Sequence, residues 1–223
     1  AYKGETKNQI SQISTSYASG LTNNRINIGA ADTKGMEIDL GYTPFDSGNW
    51  KWDINASYST SQMIVTKVSD QSDEVSLEGG GSTVGIFATV GEVFPLIKGT
   101  DFVYDPQGRV VVDAVSGNPL VNPELQILGQ STPKYILGLN TSLSYKNFTL
   151  TATADYRTGH QFYSGVKDQL AWSGYLVESA ENGRKEFIYP NSSIETSPGV
   201  YAANTSVPTA GHNDSAFLNY YSN

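Results

Sequence analysis

Residues 135–158 read YILGLNTSLSYKNFTLTATADYRT. Tyr135, Leu137, Leu139, Thr141, Leu143 and Tyr145 alternate with Ile136, Gly138, Asn140, Ser142 and Ser144. Lys146-Asn147 has the composition of a tight two-residue turn. Beyond it, Phe148, Leu150, Ala152, Ala154 and Tyr156 alternate with Thr149, Thr151, Thr153, Asp155 and Arg157. A period of two sends successive side chains to opposite faces of a strand, so this stretch is a β-hairpin with one apolar and one polar face.

The same reading applies upstream. Met36, Ile38, Leu40 and Tyr42 share one face, with Glu37, Asp39, Gly41 and Thr43 on the other. Residues 44–49, PFDSGN, supply turn chemistry. Trp50, Trp52, Ile54, Ala56 and Tyr58 then alternate with Lys51, Asp53, Asn55, Ser57 and Ser59. Strands of roughly 9–11 residues have the length needed to cross a bilayer at a tilt. Their apolar faces are aromatic at the ends and aliphatic between, the girdle pattern of a transmembrane barrel. A soluble sandwich also alternates. The small polar opposite face, and turns that are tight at one end and very long at the other, favour the barrel wall.

Composition agrees. Charged residues are 16% of the 223, against about 25% in ordinary soluble domains. A net charge of −8 without clustered Lys and Arg excludes nucleic acid as a partner. No cysteine is present, which removes disulfides and thiolate metal sites. No apolar run approaches the ~18 residues of a membrane helix, yet a closed barrel can span a bilayer because its backbone is satisfied between strands.

The organisation expected is about five wall strands, near 2–13, 34–44, 50–66, 134–145 and 148–158, with long loops at 67–133 and 159–223. Loops of this length are uncommon unless functional. Within the first, residues 102–104 and 109–112 flank Asp105-Pro106-Gln107-Gly108, a type I turn by composition. Residues 78–82, EGGGS, read as a hinge, and a short helix is expected near Val166–Ala171. The opening residues read as strand rather than as a secretory leader, and the closing residues 217–223 contain no terminal strand. The sequence is therefore expected to be a C-terminal barrel portion of a longer protein.

Several segments carry a family resemblance. Asn27-Ile28-Gly29 followed by Asp32-Thr33-Lys34-Gly35-Met36-Glu37-Ile38 resembles the "N-x-G … N-K-G-x-E" segment of SusC/RagA-type TonB-dependent transporters, with Thr33 in place of the usual Asn. Gly129 with Pro133, Gly138-Leu139 and Asp155-Tyr156-Arg157-Thr158-Gly159 is similar to that family's next wall hairpin. Asn182-Gly183-Arg184 through Phe187-Ile188-Tyr189-Pro190-Asn191-Ser192 is similar to its following extracellular loop. The resemblance implies an all-β fold: part of a 22-stranded antiparallel transmembrane β-barrel with extracellular loops, in the outer membrane of a Bacteroidetes-type bacterium. It further implies import of glycans or oligopeptides with a SusD-like surface lipoprotein, energised by TonB through an N-terminal plug region absent from this sequence. Membrane lipid would contact the apolar faces.

Candidate contacts to substrate or partner are few. Asp155 and Arg157 lie two apart on the polar face, which reads as a wall ion pair or as a contact to solute or plug. The loop aromatics Tyr104, Tyr163, Trp172 and Tyr175 could stack on sugars or anchor a protein, or pack the loops themselves. Asp101, Asp105 and Asp113 lack the spacing of a calcium loop. His160 and His212, expected as solvated loop residues, have no metal-ligand spacing. Nucleophile and phosphate-loop motifs are missing, so no enzyme, no cofactor and no metal is expected. A soluble β-rich carbohydrate-binding domain using the loop aromatics is the alternative reading.

Overall fold

The computed structural model describes residues 1–8, 10–14, 23–27, 29–69, 72–78, 84–177, 180, 183 and 185–209, with only the backbone described at 11–14 and 23–27. The EGGGS hinge from residue 79 on, Ile28, Asn182, Arg184 and His212 lie outside them. The described chain divides into two units: 1–98 with 127–162, and 99–126 with 163–223.

The first unit is built on a wall sheet in the order β1-β4-β5-β12-β13, comprising Tyr2–Lys7, Ala30–Ser47, Trp50–Lys67, Tyr135–Tyr145 and Phe148–Thr158. All four contacts along it are antiparallel. About five wall strands were expected; five follow one another across this sheet, and a sixth, the two-residue Val93–Phe94, pairs with β5. The first is shorter than the expected 2–13: it stops at Lys7, and β2 (Ile10–Ser14) pairs instead with β3 (Asn23–Asn27). The residues between Ile13 and Asp32, expected as loop, therefore include a strand.

The Pro44 segment is not the turn. β4 continues through it to Ser47, and the chain reverses at Gly48-Asn49. Tyr42 faces Ile54 while Phe45 faces Trp52, so two residues, Thr43 and Pro44, oppose the single Asp53. This is a β-bulge, a position that tolerates a residue without an N–H. The extra residue keeps Phe45 on the face of Tyr42 despite a spacing of three.

β4 and β5 run for 18 residues each, well beyond the length of β12 and β13. Their extension carries β8 (Val93–Phe94) on β5, beyond the end of β12. What the sequence presents as the first long loop is largely ordered. β6 (Glu74–Glu78), β7 (Val84–Thr89), β9 (Leu96–Gly99) and β11 (Gln126–Gln130) form a sheet in the order β11-β9-β7-β6. Val65, Val68 and Ala88 form a small core with Val75, Leu77 and Phe94. Across this sheet Lys98 Nζ meets Glu74 Oε2 at 2.9 Å, and the Thr89 hydroxyl donates to the same oxygen at 2.6 Å. Burial raises the Glu74 pKa, and these two partners outweigh it, leaving the carboxyl below its ordinary value.

Two glycines are explained by close approach. At Gly35 a side chain would collide with the Tyr2 ring, which lies over it from the neighbouring strand. Gly29 has φ +57°, and a side chain there would meet the Lys67 carbonyl.

The second unit holds β10 (Val110–Val112), β14 (Ser192–Ser197) and β15 (Val200–Ala203) in that order. β10 and β14 are parallel, and β14–β15 is a hairpin. Three successive valines are all buried in β10. Val110 and Val112 pack with Phe102, Tyr189 and Ile194. The expected turn forms: Gly108 N donates to Asp105 O at 2.9 Å, and Asp105 N to Arg109 O at 2.9 Å. The expected helix also forms, as α1 (Gly165–Trp172), with the Ser164 hydroxyl accepting from Lys167 N at its start. Ala171 is its one buried residue and packs against Leu176 and Phe187.

Candidate functional site

The wall sheet has two chemically opposite faces, and register shows that they are continuous. Leu139 lies opposite Ala154 on one side and Ala56 on the other, and Ala56 opposite Leu40. Ile38, Tyr58, Leu137 and Tyr156 form the next row. At the hairpin end Phe45, Trp52, Leu143 and Leu150 form a row, followed by Trp50, Tyr145 and Phe148. One face is therefore apolar over four strands, although each strand's alternation was read separately.

That face is uncovered. Leu40, Leu150 and Phe148 are 67%, 71% and 80% exposed, and Met36, Ile38, Leu137 and Leu139 are exposed too. A contiguous apolar surface of this kind marks a membrane or protein contact rather than a water-facing surface. Aromatic rings gather at its two ends. Trp50 and Tyr145 lie 4.3 Å apart and Phe45 and Trp52 5.7 Å apart at the hairpin end, while Tyr58 and Tyr135 stand 6.3 Å apart at the other. β12 has eleven residues, so Tyr135 and Tyr145 are about 34 Å apart along the strand. At a tilt of about 40° that is about 26 Å of height, the apolar band of an outer-membrane barrel.

One polar group interrupts the band. Thr141 sits between Ile54 and Ala152 on the apolar face. Trp52 Nε1 donates to its Oγ1 at 2.7 Å, so both groups have a partner where water would be absent. Neither strand's sequence alone reveals this pairing.

The opposite face is a polar lattice. The Thr153 hydroxyl donates to Asn140 Oδ1 at 2.8 Å, and Ser144 and Thr149 share a hydrogen bond of 2.9 Å. At the bulge the Thr43 hydroxyl donates to Asp53 Oδ1 at 2.8 Å. Lys51 lies 3.5 Å from Asp46 and 3.8 Å from Asp53. Arg157 Nε donates to Asp155 Oδ1 at 2.8 Å, and both side chains are more than half or about half exposed. Asp155 and Arg157 thus form the wall ion pair and remain accessible.

The other candidates lie in the second unit. The Tyr104 hydroxyl donates to Asp101 Oδ1 at 3.1 Å. Burial, then the Asp101 charge, raises the Tyr104 pKa. Tyr163, Trp172 and Tyr175 surround α1 and are all exposed, Trp172 at 65% and Tyr175 at 81%. Burial and then the Asp168 carboxylate raise the Tyr163 pKa. With Val166 and Leu170, also exposed, they set apolar groups beside the exposed Lys167 and Gln169 of this helix.

The three aspartates serve their own turns. Asp113 accepts from Val115 N, Ser116 N and the Ser116 hydroxyl, which lower its pKa. The Asp105 side chain is fully enclosed. Burial pushes its carboxyl up, but the Arg109 N–H, the nearby Ser193 hydroxyl (close, outside full hydrogen-bond geometry), the Arg109 guanidinium and the Gln107 N–H outweigh it. The result is a pKa of about 2. Among the described residues no three His, Asp or Glu side chains converge on a metal position. His160, expected in solvent, is half-buried, with an enclosed Nδ1 that has no hydrogen-bond partner among the described residues.

Known proteins share this architecture. Two curated relatives from Formosa agariphila are TonB-dependent receptor P3 and TonB-dependent receptor P26. The first is 23% identical over 155 residues, covering 59% of this chain and 15% of the relative. The second is 24% identical over 184 residues, covering 73% of this chain and 18% of the relative. The chain thus spans less than a fifth of their length. Among solved structures, the RagAB peptide transporter superposes with a TM-score of 0.57 at 17% identity, over 75% of this chain and 19% of that one. The RagAB peptide importer in its closed-closed state gives 0.53 at 18% identity, over 71% of this chain and 18% of that one. The resemblance read from the sequence is borne out at the level of family and fold. The model of the TonB dependent receptor-like β-barrel matches residues 1–181. With its two-faced wall and aromatic girdles, this chain belongs to the TonB-dependent receptor-like β-barrel family of the outer membrane.

Proposed function

We propose that this chain is wall and loop structure of a SusC/RagA-type outer-membrane transporter that imports oligopeptides or glycans together with a SusD-like lipoprotein and draws energy from TonB. The observation that carries the membrane assignment is the exposed apolar face, in register across four strands and bounded by aromatics. The likeness in fold to RagAB, described as a peptide transporter, supports oligopeptide as the first cargo to test. In this reading the short turns at Gly48-Asn49 and Lys146-Asn147 are periplasmic and the long connections extracellular, as in other barrels. Asp155 and Arg157 contact solute or plug from the lumen side. Tyr104, Tyr163, Trp172 and Tyr175 contact cargo or lid from the loops.

Spin labels placed singly at Leu139 and Asn140 of the full-length protein in bilayers test the wall. A lipid-soluble quencher is expected to reach Leu139 and a water-soluble one Asn140; the reverse pattern refutes the assignment. Uptake by cells carrying the intact gene, measured with oligopeptide and with oligosaccharide, tests the cargo. Depletion of neither from the medium refutes the import reading.

A further inference from the structure

The outward face of the wall does not end with its apolar band. Beyond Met36, β4 carries Lys34, Asp32 and Ala30 on the same face, and Lys3, Glu5 and Lys7 of β1 lie directly opposite them. On the other side, β5 places Gln62 opposite Lys34, Ile64 opposite Asp32 and Lys67 opposite Ala30. The face thus shows a row of lysines, then a row of carboxylates, then lysines again. Lys34 is one row beyond Met36, about 7 Å along the strand and about 5 Å in height at the usual tilt. That step leads from hydrocarbon into the headgroup layer.

Directly opposite like charges destabilise a sheet. Lys3 and Lys34 form such a pair, both exposed. Glu5 is held by Lys7 at 2.9 Å, and among the described residues no ion pair joins Lys3, Lys34 or Asp32 to any partner. Opposed residues have Cβ atoms about 5 Å apart, so both ammonium groups can converge on one anion. Ammonium groups bind phosphate as point charges. The carboxylates of Glu5 and Asp32, one row higher, repel an anion from moving further out and fix its height. Below Lys34, the exposed column Met36, Ile38 and Leu40 offers an apolar track for a chain attached to that anion.

We propose that Lys3 and Lys34 bind the phosphate of a membrane lipid, with an acyl chain along Met36, Ile38 and Leu40. The proposal rests on the membrane-facing reading above. Basic residues beside an apolar surface recognise anionic headgroups in this way, each lysine contributing about a fivefold factor.

The test is lipid retention by the full-length protein in detergent, followed by native mass spectrometry. The probes are diphosphoryl lipid A, the same lipid after enzymatic dephosphorylation, and inorganic phosphate. Diphosphoryl lipid A is expected to bind, with about a 30-fold loss of affinity in Lys3→Gln/Lys34→Gln. Lys3→Arg/Lys34→Arg, which keeps the charge, is expected to retain binding. Lys51→Gln, on the polar face, is expected to leave it unchanged. Equal binding of the dephosphorylated lipid overturns the headgroup site while leaving the membrane face intact. Inorganic phosphate bound as tightly as the lipid overturns the acyl track and makes this a free-anion site. If neither lipid is retained, the lipid site is overturned, while the membrane-facing reading stands or falls separately with the spin labels at Leu139 and Asn140.

Discussion

Replacing Leu139 with arginine tests the wall at its most demanding point. Leu139 stands near the middle of β12, between Ala56 and Ala154, whose small side chains cannot shield a guanidinium from lipid. It lies four residue steps from Tyr135, about 14 Å along the strand and about 10 Å in height. A snorkelling side chain crosses only part of that distance. The expected cost is about 2–4 kcal/mol, a factor of roughly 30 to 700 in the folding equilibrium. From Leu137 the rim is half as far, so Leu137→Arg is expected to cost clearly less, and Tyr135→Arg about 1 kcal/mol or less. Asn140→Arg points to the other face. It forfeits the 2.8 Å bond from Thr153, a loss of about 1 kcal/mol. The assay is denaturant unfolding of the full-length protein in bilayers, followed by Trp fluorescence and by electrophoretic mobility without heating. A flat profile over positions 135, 137 and 139, or an Asn140→Arg penalty equal to that of Leu139→Arg, would refute the two-faced wall.

Three further outcomes are expected. Trp52→Phe leaves the Thr141 hydroxyl without its indole donor and should cost about 1 kcal/mol; a double-mutant cycle with Thr141→Val should show coupling of about 0.5 kcal/mol or more, and zero coupling would place the pair in water. Gly29→Ala puts a side chain against the Lys67 carbonyl at a positive φ, so a loss of about 1–3 kcal/mol is expected in the same unfolding assay. The folded Asp105 pKa of about 2 lies below its ordinary 3.8, so its stabilisation is complete above about pH 4 and is lost as pH falls toward 2. Amide exchange at Val110–Val112 should therefore accelerate between pH 4 and 2 in the native chain relative to Asp105→Asn, whose profile should lack that step.

Much of the fold is legible one strand at a time. Period-two alternation depends only on a strand's own sequence, and from Tyr135 to Tyr156 it is broken only at Ile136, Thr141 and the turn, so the hairpin, its turn and its two faces follow directly. The Asp105–Gly108 turn and the Ser164-capped helix are equally local, because the groups that make them lie within four residues of each other. Pro44 misleads for the same reason. Its ring is typical of turns, but a bulge uses it equally well, and only the opposing Asp53 distinguishes the two. The ordered sheet inside the first long loop is hidden because β6 to β9 and β11 are short and draw their partners from one another and from β5.

The sequence by itself determined that the chain is β, that its strands are two-faced and membrane-length, and which residues share a face within each strand. Those properties are set by alternation and local turn chemistry. Tertiary structure alone decided the register. Register aligns four separate apolar stripes into one band, brings Trp52 to Thr141, and sets Lys3 opposite Lys34, since hydrogen bonding between strands far apart in sequence leaves no trace in either strand alone.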